Sequence, residues 1–461
     1  MAHQPDAGGR GQGPQGSLTA GGDTIAAVAT PAGRGGVGIV RVSGSLSSEV
    51  ARAIIGRVPQ PREATFARFR DAQGSPIDEG IALFFNAPHS YTGEDVLELQ
   101  GHGGPWVMRE LLHRCVSLGA RVAEPGEFTR RAFLNGRIDL AQAESVADLI
   151  DAASAEAARS AARSLAGEFS ARIRALADAL LQLRMHVEAC IDFPEEEIDA
   201  SDRVAQAQSL QRIAAALEEL LAQARQGAIL REGLVVVLAG RPNVGKSSLL
   251  NRLAGDDVAI VTPLPGTTRD YVRASIALEG VPIHLVDTAG LREASDEVER
   301  IGVERSWQAI ESAGAALFVE DARESTADYL ALRARLPREV PVARVVNKID
   351  LTGDSPGRGA DEETTIHLSA KTGEGIDLLR AWLLDAAGWR PHGEGVFIAR
   401  ERHLKALEAT RTALTAAALP QPFEITAEEL RLAHRSLGSI TGEVSADDLL
   451  GEIFARFCIG K

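Results

Sequence analysis

Apolar and polar positions follow three rhythms along the chain. Between residues 23 and 136 apolar residues come in short runs broken by Gly, Pro and polar residues. Residues 24–29, 37–42, 81–85 and 95–99 read as strands, and 106–118 fits a helix between them and a further strand. From about residue 138 to 227 Ala, Leu, Glu, Gln and Arg dominate, all strong helix formers. There Leu165, Phe169, Ile173, Leu176, Leu180 and Leu183 recur at helical spacing, so one long helix carrying a core seam is expected. Asp192-Phe193-Pro194 interrupts it, and Glu195-Glu196-Glu197 reads as a solvated acidic turn. Residues 228–389 alternate predominantly apolar runs (234–239, 283–286, 315–319, 342–346) with helical stretches, the pattern of a doubly wound parallel sheet. Pro391-His392-Gly393-Glu394-Gly395 punctuates, and from about Val396 a helical pattern resumes with Leu404, Leu407 and Leu414 as its stripe.

The pattern predicts a multidomain α/β protein: a tail (1–22), a β-rich N-terminal domain (23–136), one half of an all-α domain (137–227), an inserted nucleotide domain (228–389) and the second helical half (390–461). Composition narrows this. With 461 residues, 45% hydrophobic and 25% charged, the chain has room for several cores and no apolar run of transmembrane length. The Gly/Gln/Pro-rich start lacks the apolar stretch of a signal peptide and reads as a disordered tail. Cys115, Cys190 and Cys458 lie far apart, which argues against a disulfide framework or zinc site and suits a reducing cytoplasm. A net charge of −15 argues against a protein coated in nucleic acid but leaves room for one basic face. Arg159, Arg163, Arg172 and Arg174 could form such a stripe or simply a solvated helix face.

The chemistry concentrates after the run 234–239, where Gly240-Arg241-Pro242-Asn243-Val244-Gly245-Lys246-Ser247-Ser248 matches G-x-x-x-x-G-K-[ST] between a strand and a helix former. Glycines let backbone N–H groups surround phosphate oxygens, Lys246 brings charge to the β- and γ-phosphates, and the Ser247 hydroxyl can ligate Mg²⁺. Four further signals follow in order. Pro265-Gly266-Thr267-Thr268-Arg269-Asp270 supplies hydroxyls, one of which can reach Mg²⁺. Asp287-Thr288-Ala289-Gly290 ends a strand; Asp287 can hold Mg²⁺ through water and the Gly290 N–H can sense a γ-phosphate. In Asn347-Lys348-Ile349-Asp350 the carboxylate can accept two hydrogen bonds from a guanine edge, and Ser369-Ala370-Lys371 completes the base pocket. Together they make GTP the ligand. The position after Asp-x-x-Gly, where a Ras-like protein has a water-orienting Gln, is Leu291, so hydrolysis needs another group; Arg292, Glu293, Glu297 and Glu299 follow it.

Two other strings are discounted. Gly33-Arg34-Gly35-Gly36-Val37-Gly38 satisfies G-x-G-x-x-G, but a strand follows where a dinucleotide fingerprint needs a helix. His102-Gly103-Gly104 resembles a lipase oxyanion loop without a G-x-S-x-G elbow, and reads as a tight turn.

The loop 240–248, Gly266-Thr267-Thr268-Arg269-Asp270, the stretch 287–300, Asp192-Phe193-Pro194, Ser90-Tyr91-Thr92-Gly93-Glu94-Asp95 and the terminal Phe457-Cys458-Ile459-Gly460-Lys461 together resemble the tRNA uridine modification GTPase family, MnmE/TrmE, over nearly the whole chain after residue 22. The Gly and terminal Lys make Cys458 a poor prenylation site. The resemblance implies GTP contacts from Asn243, Val244, Gly245, Lys246, Ser247 and Ser248, from Thr262, Pro263, Leu264, Pro265, Gly266, Thr267 and Thr268, from Asp287, Thr288, Ala289 and Gly290, and from Asn347, Lys348, Asp350, Ser369, Ala370 and Lys371. It implies Mg²⁺ on Ser247 and Thr268, K⁺ on Asn243, Thr262, Leu264 and Thr267, and catalysis by Lys246 and by Glu299, which would orient the attacking water. The N-terminal domain would bind 5-formyl-tetrahydrofolate or a related folate as one-carbon source through Arg41, Glu98, Arg137 and Lys461; Arg137 stands where some relatives carry Lys. Cys458 falls near the folate end, with no role fixed for it.

The resemblance further implies a homodimer and a FAD-containing partner, forming a heterotetramer that adds a carboxymethylaminomethyl group to C5 of wobble uridine in certain tRNAs, in the cytoplasm and without membrane attachment. A GTP-switch assembly factor for ribosomal RNA, without modification activity, and a folate enzyme with a regulatory GTPase are the competing classes. Arg41 and the Cys-Ile-Gly-Lys end favour the first reading over the assembly factor, which needs no folate pocket.

Overall fold

The computed structural model describes residues 22–192, 200–255, 272–287, 314–324, 329, 333, 340–359, 364–390, 396–443, 447–455 and 457–460. The chain forms two compact units: Met1–Asp139 with Ser445–Lys461, and Leu140–Val444.

In the first unit β1 (Ile25–Val28), β2 (Gly35–Ser43), β3 (Thr65–Arg70), β4 (Pro76–Phe85), β5 (Val96–Gly103) and β6 (Arg121–Val122) form one sheet in the order β3-β4-β5-β2-β1-β6. It is antiparallel except for the β1–β6 pair. Strand alternation decides what each face holds. Val40 and Val42 of β2 and Leu97 and Leu99 of β5 face a core with α1 (Ser47–Ile55) and α2 (Pro105–Ser117), where Val50, Ile54, Leu111 and Cys115 are buried. Arg41 and Glu98, which are cross-strand partners, therefore share the opposite face. There α3 (Glu127–Leu134) brings Phe128 against Ile25, Ala27 and Ala123.

Gly35, Gly36 and Gly38 lie on β2, as expected when the dinucleotide reading is discounted. His102 and Gly103 end β5, and Gly104 caps α2 with its N–H donating to the His102 carbonyl at 2.8 Å, a tight strand-to-helix turn.

The second unit holds the helical bundle: α4 (Leu140–Asp151), α5 (Ala155–Leu165), α6 (Glu168–Asp192) and α7 (Ala200–Glu232). The expected single helix over 165–183 is interrupted. Leu165 ends α5, and Gly167, at φ +92°, turns the chain before α6 carries Phe169, Ile173, Leu176, Leu180 and Leu183 into the core.

A second sheet follows, built from β7 (Leu234–Ala239), β8 (Val272–Leu278), β9 (Val281–Asp287), β10 (Ala315–Asp321), β11 (Val342–Asn347), β12 (Gly357–Arg358) and β13 (Thr364–Leu368), with α8 (Lys246–Ala254) and α9 (Ile376–Ala386). Its order is β12-β13-β11-β10-β7-β9-β8, parallel except for β8 and β12 at the edges. The predominantly apolar runs 234–239, 315–319 and 342–346 are its central strands, largely buried on both faces.

The chain then returns to the bundle as α10 (Glu401–Ala417) and α11 (Phe423–Thr441), where Leu407, Leu414, Leu430 and Leu437 join the α6–α7 core. Residues 396–400, expected as helix, precede α10 and bury Phe397, which stacks on Phe169 at 4.5 Å. The last element, α12 (Asp447–Ala455), and the terminal residues group with the first unit, whereas the sequence pattern assigns all of 390–461 to the second helical half. The contacts are of two kinds: the Phe454 ring meets Phe133 of α3, and the backbone of Ile459 forms an antiparallel β-bridge with Pro125.

Among the described residues no helix is long and apolar enough to cross a membrane.

Candidate nucleotide and folate sites

The turn from β7 into α8 is shaped by residues that tolerate unusual backbone. Gly240 has φ +141°, and a Cβ there would run into the Val319 carbonyl. Asn243 has φ +65°, a conformation Asn adopts more readily than most residues, and Gly245 caps α8 at φ +100°. A Cβ on Gly245 would collide with the Asn347 side chain. The loop thus exposes backbone N–H groups at a helix N-terminus, where anions bind. Lys246 spans it, its Nζ donating to the carbonyls of Gly240 (2.7 Å) and Arg241 (2.9 Å). Ser247 and Ser248 are exposed in the first turn of α8, and Val244 is buried beneath the loop. β9 ends at Asp287, paired with Leu238 of β7, so the Asp-x-x-Gly segment starts beside the loop.

The residues expected to read the base converge on the same loop from β11. Asn347 is buried; its Nδ2 donates to the Val244 carbonyl at 2.8 Å, and its Oδ1 accepts from the Ala370 N–H at 2.9 Å. Lys348, at φ +71°, donates from Nζ to the Asn243 carbonyl at 2.6 Å. Ser369 Oγ donates to Asp350 Oδ1 at 2.7 Å, which orients the carboxylate, and Ser369 Oγ also accepts from the Thr372 N–H.

Sequence reasoning missed Arg252. From the last turn of α8 it donates to the carbonyls of Ala370 (3.2 Å) and Lys371 (2.5 Å), holding the 369–371 segment against the loop. A basic residue in a last helical turn is too common to have signalled this. Of the other predicted residues, Thr262, Pro263, Leu264, Pro265, Gly266, Thr267, Thr268, Thr288, Ala289, Gly290, Leu291 and Glu299 lie outside the described residues, as does Lys461. Within what is described, a side-chain carbonyl on Asn243 and a hydroxyl on Ser247, both exposed, are the hard oxygen donors that K⁺ and Mg²⁺ require.

In the first unit, alternation brings Arg41 and Glu98 together. Arg41 Nε and Nη2 both donate to Glu98 Oε1, at 2.9 and 2.8 Å. Arg41 Nη1 donates to the Gly460 carbonyl at 3.4 Å, and the guanidinium lies 5.8 Å from the Tyr91 ring centroid and 5.7 Å from that of Phe128. The Tyr91 hydroxyl is fixed by Thr129 at 2.8 Å; burial pushes its pKa up. Arg137 lies beside the same 90–95 loop, its Cγ 3.3 Å from where a Cβ on Gly93 would stand. A carboxylate acceptor beside a guanidinium, with an aromatic face next to them, fits a polar heterocycle carrying adjacent donors. Cys458 is exposed, and its carbonyl accepts from the Gly126 N–H at 3.4 Å.

The arginine stripe is largely self-satisfied. Arg159 meets Glu156 at 3.7 Å, and Arg172 donates to Gln223 at 2.5 Å. A cleft of about 690 Å³ between α6 and α7, lined by residues such as Leu176, Leu183, Ile213 and Leu220, contains none of the predicted nucleotide or folate residues.

Comparison with known proteins agrees with this geometry. Residues 140–458 match the family model of the MnmE helical domain, and residues 24–137 that of the GTP-binding protein TrmE N-terminus. The chain is 61% identical over 441 residues to the tRNA modification GTPase MnmE of Thiobacillus denitrificans, covering 95% of this chain and 98% of that protein. It is 60% identical over 443 residues to the protein of that name from an Azoarcus species (95% and 98%), and 58% identical over 449 residues to that from Nitrosomonas europaea (95% and 99%). Among solved structures it is similar to an Aquifex aeolicus Era variant bound to GDP and aluminium fluoride, 28% identical, covering 41% of this chain and 69% of that one, with a TM-score of 0.27. The G domain of the T. maritima FeoB iron transporter is 24% identical over 33% of this chain and 98% of that one, with a TM-score of 0.26. A TrmE N-terminal domain over residues 24–137, a match to the MnmE helical domain over residues 140–458 and full-length relatives at 60–61% identity make this chain a member of the MnmE/TrmE family, a GTPase of tRNA modification.

Proposed function

We propose that the chain hydrolyses GTP in a K⁺-dependent manner and, with a FAD-containing partner, installs a carboxymethylaminomethyl group at C5 of wobble uridine in certain tRNAs, drawing on a folate one-carbon unit. The observation that carries the nucleotide half is the tie between loop and base segment through Asn347 and Lys348. It makes phosphate binding and guanine recognition one preformed surface, with Asp350 oriented by Ser369 to accept from the guanine edge. Lys246 would turn from the Gly240 and Arg241 carbonyls to the β- and γ-phosphates.

In this reading Ser247 and Thr268 hold Mg²⁺, with Asp287 contacting it through water. Asn243, Thr262, Leu264 and Thr267 hold K⁺. When bound, K⁺ supplies positive charge toward the phosphates, the task an arginine finger has elsewhere. Glu299 orients the attacking water, since Leu291 cannot. The Arg41–Glu98 pair, with Gly460 and Tyr91 around it, supports the folate assignment, completed by Arg137 and Lys461. GTP hydrolysis then drives conformational change across a homodimer, apart from the modification chemistry itself. The protein would act with its partner on tRNA in the cytoplasm.

The test is nucleoside analysis of tRNA from a strain lacking this protein. Loss of carboxymethylaminomethyl-uridine is expected, with recovery on complementation. Unchanged wobble uridines would overturn the reading in favour of a GTP switch without modification activity.

A further inference from the structure

Asp321 lies outside every motif of the nucleotide site, yet it completes the tie between two of them. It is the last residue of β10, in register with Asn347 of β11. Its side chain is only 6% exposed. Its Oδ2 accepts from Lys348 Nζ at 2.8 Å, and the same ammonium donates to the Asn243 carbonyl of the phosphate loop. Arg323 closes the carboxylate from the other side. Its Nε donates to Oδ1 at 2.9 Å, its Nη2 to Oδ2 at 2.7 Å and its backbone N–H to Oδ1 at 3.1 Å. The neighbouring backbone is fixed as well, the Ala322 N–H donating to the Asn347 carbonyl at 2.8 Å. The Arg323 guanidinium, joined by Lys348, holds the Asp321 carboxyl well below the usual carboxylate range.

We infer that Asp321 is a positioning residue for nucleotide binding, acting through Lys348: it fixes the ammonium over the phosphate loop before GTP or GDP arrives. The inference rests on the reading that residues 347–350 hold the guanine base. A lysine left alone must be ordered by the ligand itself, and four rotatable bonds make that ordering expensive. Here two of its three N–H donors are already committed, one to Asp321 and one to the loop, and the third is left for the ligand. Lys348 sits at φ +71°, a conformation that persists where surrounding bonds hold it. The base and ribose are the same in GTP, GDP and the transition state. A residue that preorganises their binding therefore changes affinity uniformly and leaves the chemical step alone. That signature separates Asp321 from Lys246 and Glu299, which act at the phosphates.

The experiment is titration of the full chain with fluorescent GDP, alongside steady-state GTP hydrolysis. Asp321→Asn should weaken GDP binding and raise KM for GTP by about tenfold, the scale of a charge-assisted hydrogen bond, with kcat at saturation within about twofold. Preference for guanine over xanthine should be unchanged. Asp321→Glu should recover part of the affinity. The double variant Asp321→Asn/Lys348→Ala should bind no more weakly than Lys348→Ala alone. Wild-type affinity in Asp321→Asn, or losses that multiply in the double variant, would overturn the inference.

If Asp321→Asn does not fold, Arg323→Gln at the half-exposed neighbour decides. It leaves the carboxylate to Lys348 and should bind GDP at least as tightly as the wild type; a tenfold loss would make Arg323 the group that matters and overturn the role of Lys348. Asp350→Asn in the same titration separates the two levels. No gain of xanthine binding would refute the base reading itself, whereas a gain beside an unaffected Asp321→Asn refutes only the present inference.

Discussion

Replacing Glu144 by Gln removes one negative charge from a densely paired buried site in the helical bundle. Glu144 lies on α4 and is 1% exposed. Arg402 grips it with two bonds, Nε to Oε1 at 2.7 Å and Nη2 to Oε2 at 2.6 Å. His403 Nε2 lies 2.9 Å from Oε2. The backbone N–H of Arg400 points at His403 Nδ1, 3.1 Å away, so Nδ1 must accept and the ring proton sits on Nε2, donating to Glu144. His403 is therefore neutral, in keeping with burial pushing its pKa below the ordinary 6.5. Burial alone would raise the Glu144 carboxyl, but His403 and Arg402 outweigh it and hold the group well below its ordinary 4.5. Breaking a buried pair by removing one partner costs about 3–5 kcal/mol. The Arg402 side chain is 20% exposed and keeps some access to water, so the lower end, about 3 kcal/mol, is expected for Glu144→Gln.

In a multidomain chain this cost is best read locally. Hydrogen exchange of α4 and α10 peptides in the full-length protein should speed up by about two orders of magnitude, since about 1.4 kcal/mol corresponds to a factor of ten. Peptides of α1 and α2, in the other unit, should be unaffected. The pH dependence has a definite sign. Both groups have lowered folded-state pKa values, so each contributes above its unfolded value and loses that contribution as pH falls. The His403 part declines as pH drops below about 6.5, and the Glu144 part as it drops below about 4.5. Acid should therefore destabilise the wild-type bundle more than that of the Gln variant. Exchange in α4 and α10 unchanged within a factor of three, or an equal effect in α1 and α2, would refute the argument.

Lys246→Ala should weaken GTP binding by about two orders of magnitude or more, because no other described side chain spans the loop from Gly240 to Arg241; undiminished affinity in a nucleotide titration would contradict the loop assignment. Asp350→Asn should exchange guanine preference for xanthine, and retained GTP selectivity would mean that another group reads the base. GTP hydrolysis should be faster in K⁺ than in Na⁺ at equal ionic strength; equal rates would remove Asn243 from cation binding. Arg41→Lys loses the double contact to Glu98 and the aromatic neighbours while keeping charge, so 5-formyl-tetrahydrofolate affinity should fall about tenfold, and calorimetry showing wild-type affinity would dissociate Arg41 from that ligand.

What was legible in the sequence is what one local stretch can encode. The predominantly apolar runs 234–239, 315–319 and 342–346 are central strands because a strand buried on both faces must be mostly apolar; the last admits Arg344 where Glu320 pairs with it at 2.8 Å. Gly240 and Gly245 announce a loop because backbone at φ +141° and +100°, with no room for a Cβ, admits little else. Edge elements were missed. β3 buries Ala67 and Phe69 on one face, but Phe66 stands on the other at 67% exposure, so its sequence lacks the apolar–polar alternation that marks a strand. β8, β12 and β13 were missed as well; β12 is two residues long. The break between α5 and α6 hid because Leu165 keeps helical spacing with Phe169 across Gly167. Arg252 and Asp321 could not be found at all by local reading. The partners that give them their roles, Ala370 and Lys348, lie 118 and 27 residues away, and an Asp two residues before an Arg reads locally as an ordinary solvated pair.

Long-range pairing of this kind also explains how a nucleotide domain can sit inside a helical one without being loosely tethered. Arg231 occupies the last turn of α7, just before β7, and Arg400 immediately precedes α10 as the chain returns. Both donate to the same carboxylate oxygen, Asp148 Oδ1 on α4, at 2.9 and 2.8 Å. Outgoing and returning segments are thereby held at one point, next to the Glu144 cluster. Gln226 adds a second clasp, taking the Arg390 N–H and giving to the Gly388 carbonyl beyond α9. Ser154, the cap of α5, adds a third through the Gly280 carbonyl in the β8–β9 turn. Among the described residues these three clasps tie the nucleotide sheet and its flanks to α4, α5 and α7, so a rearrangement of the sheet would pull on the bundle there. The buried charges of α4, costly to desolvate and yielding little net stability as ion pairs, thus stand where mechanical continuity between the two parts is needed.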